Sequence, residues 1–328
     1  MLNTNCWIYD LSYLGLISVS GIDADKFLQG QCTNDLRDLK QRYSQLGSHC
    51  NSRGRMIATF RLMRWNSVIY LQVTKTILPN LLELLNKYRL RAKVELQDAN
   101  EKIQFLGISG EDALEMFNVA VSKLQEEKIQ LSLHLSLPKI NELLEHQSFL
   151  VMRMPGEIPR MQIFGSPLKI QSLSIELTNL GAKSGTVDQW KLPDIQACIP
   201  NLYLETSDVF VPQMVNLQLL DGVSFYKGCY TGQEVIHRLQ RLGNLKRRLF
   251  RAEVATTICP QPGDNLHSEV NSSGQGAGKI VDAVIREDNM CELLAVIEIA
   301  AVQQGKILLG DKQDQLLQYL ELPYAYPN

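Results

Sequence analysis

The chain of 328 residues has no paired cysteines. Its seven, Cys6, Cys32, Cys50, Cys198, Cys229, Cys259 and Cys291, are scattered singly, with no Cys-x-x-Cys and no cysteine–histidine group at metal-ligand spacing. An odd, dispersed set argues against a disulfide framework and fits a reducing compartment. It also argues against a self-contained zinc or iron–sulfur site, so no metal is expected. His237 follows Cys229 by eight positions, but two isolated ligands are not a site, and a surface histidine is the plainer reading. Long apolar runs are missing too. No stretch approaches bilayer-spanning length, and the N-terminus carries Asp10 and scattered polar residues instead of a basic-then-apolar leader. The expectation is a cytoplasmic protein without a membrane partner. Net charge is small, -2, so there is no global attraction to nucleic acid or anionic lipid. The glycine fingerprints of dinucleotide-binding, P-loop and nucleophile-elbow enzymes are lacking. What is present is an ordinary globular composition, 45% hydrophobic and 21% charged, over a length that suits two or three domains.

Strand-like alternation covers 14–20, 43–50, 56–65 and 68–73, with a turn at Asn51-Ser52-Arg53-Gly54 making a hairpin. Asp23 can cap a short helix bearing Phe27 and Leu28, and Gly30 stops it before the polar loop 31–36. Helical spacing marks 77–90, with Pro79 in its first turn, then 111–121 and about 168–180. Further strands fit 94–96, 103–108, 149–154 and 160–164. Strands mixed with single helices predict an α+β fold with antiparallel sheets, not a doubly wound parallel one. The segment 205–208 reads as mobile. Beyond Gly243 the pattern changes to short β runs at 246–254, 280–285, 293–299 and 306–309, punctuated by turns at 263–264, 271–278 and 287–289. That predicts a small β-barrel or sandwich over 244–328, after a body over 1–243 of two subdomains.

The chain is organised around Lys227-Gly228-Cys229-Tyr230-Thr231-Gly232-Gln233-Glu234. A cysteine between glycines can turn tightly and stay unshielded. Lys227, two residues earlier, would favour the thiolate. Thr231 and Glu234 have capping-box spacing, and Val235, Ile236, Leu239 and Leu242 recur at helical intervals, so the thiol would precede a helix N-terminus. A structural turn with an inert cysteine accounts for the same residues, and both readings stand. Trp190, among Asp188, Gln189 and Lys191, is either core packing or a flat surface for a planar ring. Arg238, Arg241, Lys246, Arg247, Arg248 and Arg251 form the one basic cluster. It is either a solvated face or a site for phosphates or a ligand's carboxylates; no aromatic-rich RNA-binding signature accompanies it.

The octapeptide at 227–234 resembles the signature of YgfZ-type folate-binding proteins, relatives of the glycine-cleavage T-protein. The resemblance extends to Gly21 through Leu36 with its Phe-Leu-Gln-Gly-Gln-x-Thr-x-Asp pattern, to His49-Cys50 with Gly54, to Pro212-Gln213 before Asn216-Leu217, and to the final Leu322-Pro323-Tyr324. It implies an antiparallel-sheet folate-binding body of the T-protein type followed by a C-terminal β-barrel, around a central opening for folate. It also implies a tetrahydrofolate-binding accessory to iron–sulfur enzymes, including those that modify tRNA. Its partners would be folate and iron–sulfur client or assembly proteins, with tRNA met at most indirectly. Under that resemblance Cys229 and Lys227 are the chemical residues. Trp190, Gln196, Tyr230 and Gln233 would contact the cofactor, and Arg238 and Arg241 would meet the folate glutamate tail.

Departures from the pattern carry information. T-proteins place paired aspartates after the hairpin glycine, one of them catalytic; here Ala58 and Thr59 stand there. A folate-dependent aminomethyl- or methyl-transferase is the alternative reading, and it lacks that acid/base group. YgfZ-type proteins share the loss. Gln196 stands where both groups usually place a pterin-holding glutamate, and an amide keeps one acceptor while losing the charge. Leu14 replaces an aromatic residue and Leu242 a basic one.

Overall fold

The computed structural model describes residues 4–40, 42–124, 136–146, 148–243, 245–268, 276–310 and 315–326. Among these residues the strands make three sheets. The first is antiparallel, in the order Gln45–Cys50, Met56–Trp65, Val68–Thr74, Leu14–Ser20, Glu95–Asp98. Both of its faces are buried, and alternation sorts the side chains between them. Ala58, Phe60, Leu62, Leu71 and Val73 join one core with Phe27, Leu28 and Leu81 from the helices Ala24–Gln29 and Leu78–Arg89. The intervening Thr59, Arg61, Gln72 and Thr74 point the other way, into the centre of the molecule. Arg61 and Gln72 are direct cross-strand partners.

The second sheet runs Lys183–Ser184, Trp7–Asp10, Gln104–Ser109, Arg160–Gly165, Phe149–Arg153, Leu143–His146. Its pairs are antiparallel except at the two-residue edge, where Lys183–Ser184 lies parallel to Trp7–Asp10. The helices Ala113–Lys123 and Pro167–Asn179 cover one face through Phe117, Leu173, Ile108 and Ile163. Phe105, Leu150, Met152 and Phe164 turn the other face inward, where they pack with Met63, Tyr70 and Leu16 of the first sheet. Antiparallel sheets and single covering helices make the α+β fold that the strand pattern predicts.

The third sheet is a curled half-barrel in the order Leu308–Leu309, Asn265–His267, Gly278–Ile285, Met290–Glu298, Arg247–Ala255, Gln318–Leu320. Its ends approach each other, since Leu309 N donates to Gln315 O and Leu317 N to Ile307 O. It is packed into the body: Leu249, Val281, Val284, Leu294 and Val296 belong to the core of the first sheet. The turn expected at 271–278 falls partly outside the described residues. The segment 205–208 is not a loose connection: Leu204–Thr206 is a 3-10 turn with Thr206 buried, and Asp208 N donates to Met56 O.

One helix, Val187–Gln196, escapes the apolar periodicity because Pro193 lies inside it. Thr186 starts it with a reciprocal cap, accepting from Gln189 N at 3.2 Å while its own N–H donates to Gln189 Oε1 at 2.9 Å. Lys191 then reaches Asp282 of the third sheet at 2.6 Å, and Tyr203 donates to the same carboxylate at 3.1 Å. Asp282 sits where the register shifts between Ile280 and Asp282. Burial pushes its pKa up, against the pull of Lys191. Removing one partner of such a pair strands a buried charge. Asp282→Ala is therefore expected to lower unfolding stability by about 3–5 kcal/mol in urea titration. A loss below about 1 kcal/mol would show that Lys191 is solvated and that the pair does not hold the helix.

Candidate functional site: a thiol loop and a buried polar cavity

Cys229 is exposed, whereas Cys6, Cys32, Cys50, Cys198 and Cys291 are buried and Cys259 is half-buried. Its loop packs on the hairpin turn at 51–54. Gly232, at φ +83°, precedes the helix Gln233–Leu242, and a Cβ there would lie 2.4 Å from Asn51 O. Glycine is required at that position. The Thr231–Glu234 capping box does not form; the helix starts from Gly232 without a side-chain cap, and Thr231 N donates to Gly30 O instead.

Lys227 is buried beneath the turn at 29–34. Its Nζ donates to Gln29 O at 2.7 Å, Cys32 O at 2.7 Å and Asn34 O at 2.6 Å. An ammonium has three N–H donors, so all are committed to the 29–34 turn. Burial draws its pKa down to about 8. The buried Cys32 thiol feels it, and desolvation still pushes that thiol up to about 12. Lys227 therefore clamps the loop from below. Tyr230 is buried in the core beside it, and Gln233 Nε2 spans Gly228 O and His237 Nε2 at 3.4 Å each. Both build the loop. Arg238 and Arg241 are exposed on the helix and line no part of the cavity described below. Within the basic cluster Arg251 pairs with Glu292 at 2.6 Å, Arg247 approaches Glu298 at 3.9 Å, and Arg248 lies 3.9 Å over the Tyr326 ring. Those three are structural.

The second place lies on the opposite face of the first sheet. Tyr13, Thr59, Arg61, Gln72, Gln162, Trp190 and Asp194 surround a cavity of about 40 Å³. Trp190, 1% exposed, is a wall of this space and not a free stacking platform. A Cβ at Gly107 would lie 2.8 Å from its ring, the Arg160 guanidinium stands 4.7 Å over it, and Tyr9 packs at 5.2 Å. Its indole hydrogen-bonds the Tyr13 hydroxyl, whose pKa is held well above the usual range by burial and by Asp194 and Asp282. Arg160 donates to Trp190 O, to Asp194 Oδ1 and, at 2.6 Å, to Pro155 O.

Gln196 faces solvent, so the residue of this helix that turns a carboxylate to the cavity is Asp194. The spacing accounts for the difference in placement: four residues from Trp190 reach the same helical face, and six do not. Arg61 also lines the cavity, and the sequence reading does not single it out. It is 6% exposed and donates to Ser44 Oγ at 2.9 Å and Asn141 Oδ1 at 2.7 Å, with its pKa drawn down to about 10 by burial. The available signal was polar residues at inward positions, Thr59 and Arg61 alternating with Ala58, Phe60 and Leu62. Thr59 donates to Pro200 O and accepts from Leu202 N, both at 3.0 Å, and Ala58 faces the core. Neither supplies a proton-transfer group.

His49 braces the turn that Lys227 holds, its Nδ1 lying 2.9 Å from Gln31 O and its ring 5.7 Å from Tyr88. Burial lowers its pKa below the ordinary 6.5. Above that pH both states are neutral and the residue contributes no slope. As pH falls below 6.5 the unfolded chain takes the proton first, so folding stability declines until the depressed folded pKa is reached. The difference in unfolding free energy between the native chain and His49→Gln should narrow with acidification through this window. A difference independent of pH from 7 to 5 would mean that His49 is protonated equally in both states.

Residues 1–141 match the family model described as the GCVT N-terminal domain. The chain is 31% identical to the tRNA-modifying protein YgfZ of Colwellia psychrerythraea, covering 89% of this chain and 85% of that protein. It is likewise 31% identical to the YgfZ of Hamiltonella defensa, over 92% and 87%. An uncharacterized protein of Haemophilus influenzae is 30% identical over 96% and 97%. Among solved structures, the glycine cleavage system aminomethyltransferase T of Bartonella henselae superposes with a TM-score of 0.71 over 98% of this chain and 86% of that one, at 14% identity, which is a likeness of fold. With the T-protein architecture, the intact cysteine loop and this identity over most of its length, the chain belongs to the YgfZ family.

Proposed function

We propose that this protein binds tetrahydrofolate and supports the assembly or repair of iron–sulfur enzymes, those that modify tRNA among them, with Cys229 as the acting thiol. One observation carries the reading. The exposed thiol stands on a loop that is fastened by a buried lysine whose three donors are all spent on backbone carbonyls. Desolvating an ammonium to hold an otherwise open loop is costly for a mere turn. The description of the relatives as tRNA-modifying proteins supports the same direction. Contact with tRNA would pass through the client, in the cytoplasm.

The cavity residues fit a folate ring in their chemistry. Gln162 Oε1 and Nε2 and Gln72 Nε2 are buried without a hydrogen-bond partner among the described residues, and Asp194 stands beside them. Asp194, Gln72 and Gln162 would hold the ring's donors and acceptors. A space of about 40 Å³ admits only a few atoms, so the lining must part to receive it. Leu14 is shared with an outer groove of about 190 Å³ formed by Asp10, Ser12, Lys75, Asn100 and Phe105, and that groove is the entry. Bound tetrahydrofolate would carry a one-carbon unit. The protein's own residues bind and orient it, and they offer no group for aminomethyl transfer, because the Thr59 hydroxyl is already committed.

Cys229→Ser should unfold within about 0.5 kcal/mol of the native chain, as an exposed change does. In cells lacking the native protein it should fail to restore the activity of an iron–sulfur tRNA-modifying enzyme; full restoration would end the role given to the thiol. Calorimetric titration should show saturable tetrahydrofolate binding that Gln72→Leu weakens. No binding to the intact protein would remove folate from the reading and leave Cys229 standing.

A further inference from the structure

The central cavity holds more positive than negative charge. Arg61, Arg160 and Asp194 are buried together, and the other two act on Arg61 in opposite senses: Asp194 pulls its pKa up and Arg160 pulls it down. The one carboxylate is engaged by Arg160. Arg61 is left with two neutral acceptors, Ser44 Oγ and Asn141 Oδ1, both on Nη1. Lys191 does not alter the balance, since Asp282 pairs with it at 2.6 Å. A guanidinium taken from water and given only neutral partners is poorly compensated, and a carboxylate would match its planar fork.

The neighbours of Arg61 add donors. Gln72 sits directly across the sheet from it with Nε2 lacking a partner among the described residues. Gln162, 0% exposed, lines the same cavity from the second sheet with both amide atoms lacking one. Two amide N–H groups and a guanidinium thus converge from two sheets on about 40 Å³. One water needs roughly 10–15 Å³ on this measure, so the volume suits a body of about three or four heavy atoms.

We propose that the inner end of this cavity is a binding site for a small planar oxyanion, a carboxylate of one or two carbons, seated on Arg61 and donated to by Gln72 and Gln162. The site does not depend on tetrahydrofolate binding, because it requires no opening of the lining; the two ligands would compete for Gln72 and Gln162. It also gives the isolated charge of Arg61 a counter-ion without drawing on Asp194.

Formate and acetate are the probes, titrated calorimetrically into the full chain against chloride at equal ionic strength, with thermal unfolding in parallel. Saturable one-site binding and a melting temperature that climbs with carboxylate but not with chloride are expected. Arg61→Met should abolish both. Gln162→Glu is isosteric and places a carboxylate in the same space, so it carries the test even if the arginine variant fails to fold. It should melt higher than the native chain without ligand and bind acetate at least about tenfold more weakly. Carboxylates that act no differently from chloride, or Gln162→Glu binding acetate as the native chain does, would overturn the site. A tetrahydrofolate titration on the same sample keeps the two readings apart, since carboxylate binding without folate binding supports this one alone.

Discussion

The fold depends on how the helix Val187–Gln196 is fastened. Its side chains engage all three sheets. Trp190 lies over Gly107 of the second sheet, Lys191 is paired with Asp282 of the third, Asp194 meets Arg160, and Ile195 enters the core of the first. The two ion pairs are buried, so they are demanding in geometry and give little net stability over an apolar substitute. What they provide is a fixed position. A helix held by two ion pairs and a capping box cannot slide or rotate without stranding a charge, whereas one held by leucines could repack. The cavity wall inherits that rigidity.

That fastening explains why the first sheet can bury polar residues on one face. An antiparallel sheet of this size ordinarily has one dry face and one wet face. Here the second face is covered by another sheet and by the helix, yet it keeps Thr59, Arg61, Gln72 and Thr74. Threonine hydroxyls are settled on backbone: Thr59 on Pro200 and Leu202, and Thr74 on Leu202 O at 2.6 Å. Arg61 and the glutamines are not settled to the same degree. The sheet therefore separates two kinds of chemistry, a closed polar chamber on one side and, across an apolar core, the loop that presents Cys229.

Much of this was legible in the chain. Alternation located the hairpin and the first sheet, and the 3.6-residue period located Leu78–Arg89, Ala113–Lys123 and Pro167–Asn179. The octapeptide located the loop and the family. The site was read less well, for physical reasons. The helix Val187–Gln196 carries Pro193 and no apolar stripe, so the four-residue step from Trp190 to Asp194 does not show in the sequence, and Gln196 is singled out only by the family resemblance. Arg61 is not marked in the sequence, which does not reveal that a second layer covers that face of the strand Met56–Trp65. Lys227 was judged by its distance along the chain from Cys229, while its hydrogen bonds depend on a turn nearly two hundred positions earlier.

The lysine's true role changes what the cysteine loop can do. A cation beside a thiol would make the thiolate a standing nucleophile, reactive toward any electrophile that reached it. Lys227 instead commits its three N–H donors to the carbonyls of the 29–34 turn, which the buried His49 also braces through Gln31 O. Cys229 is thereby placed on an exposed, firmly held loop. Gly228, whose added Cβ would touch nothing within 4 Å, confirms that the loop has open space on its outer side.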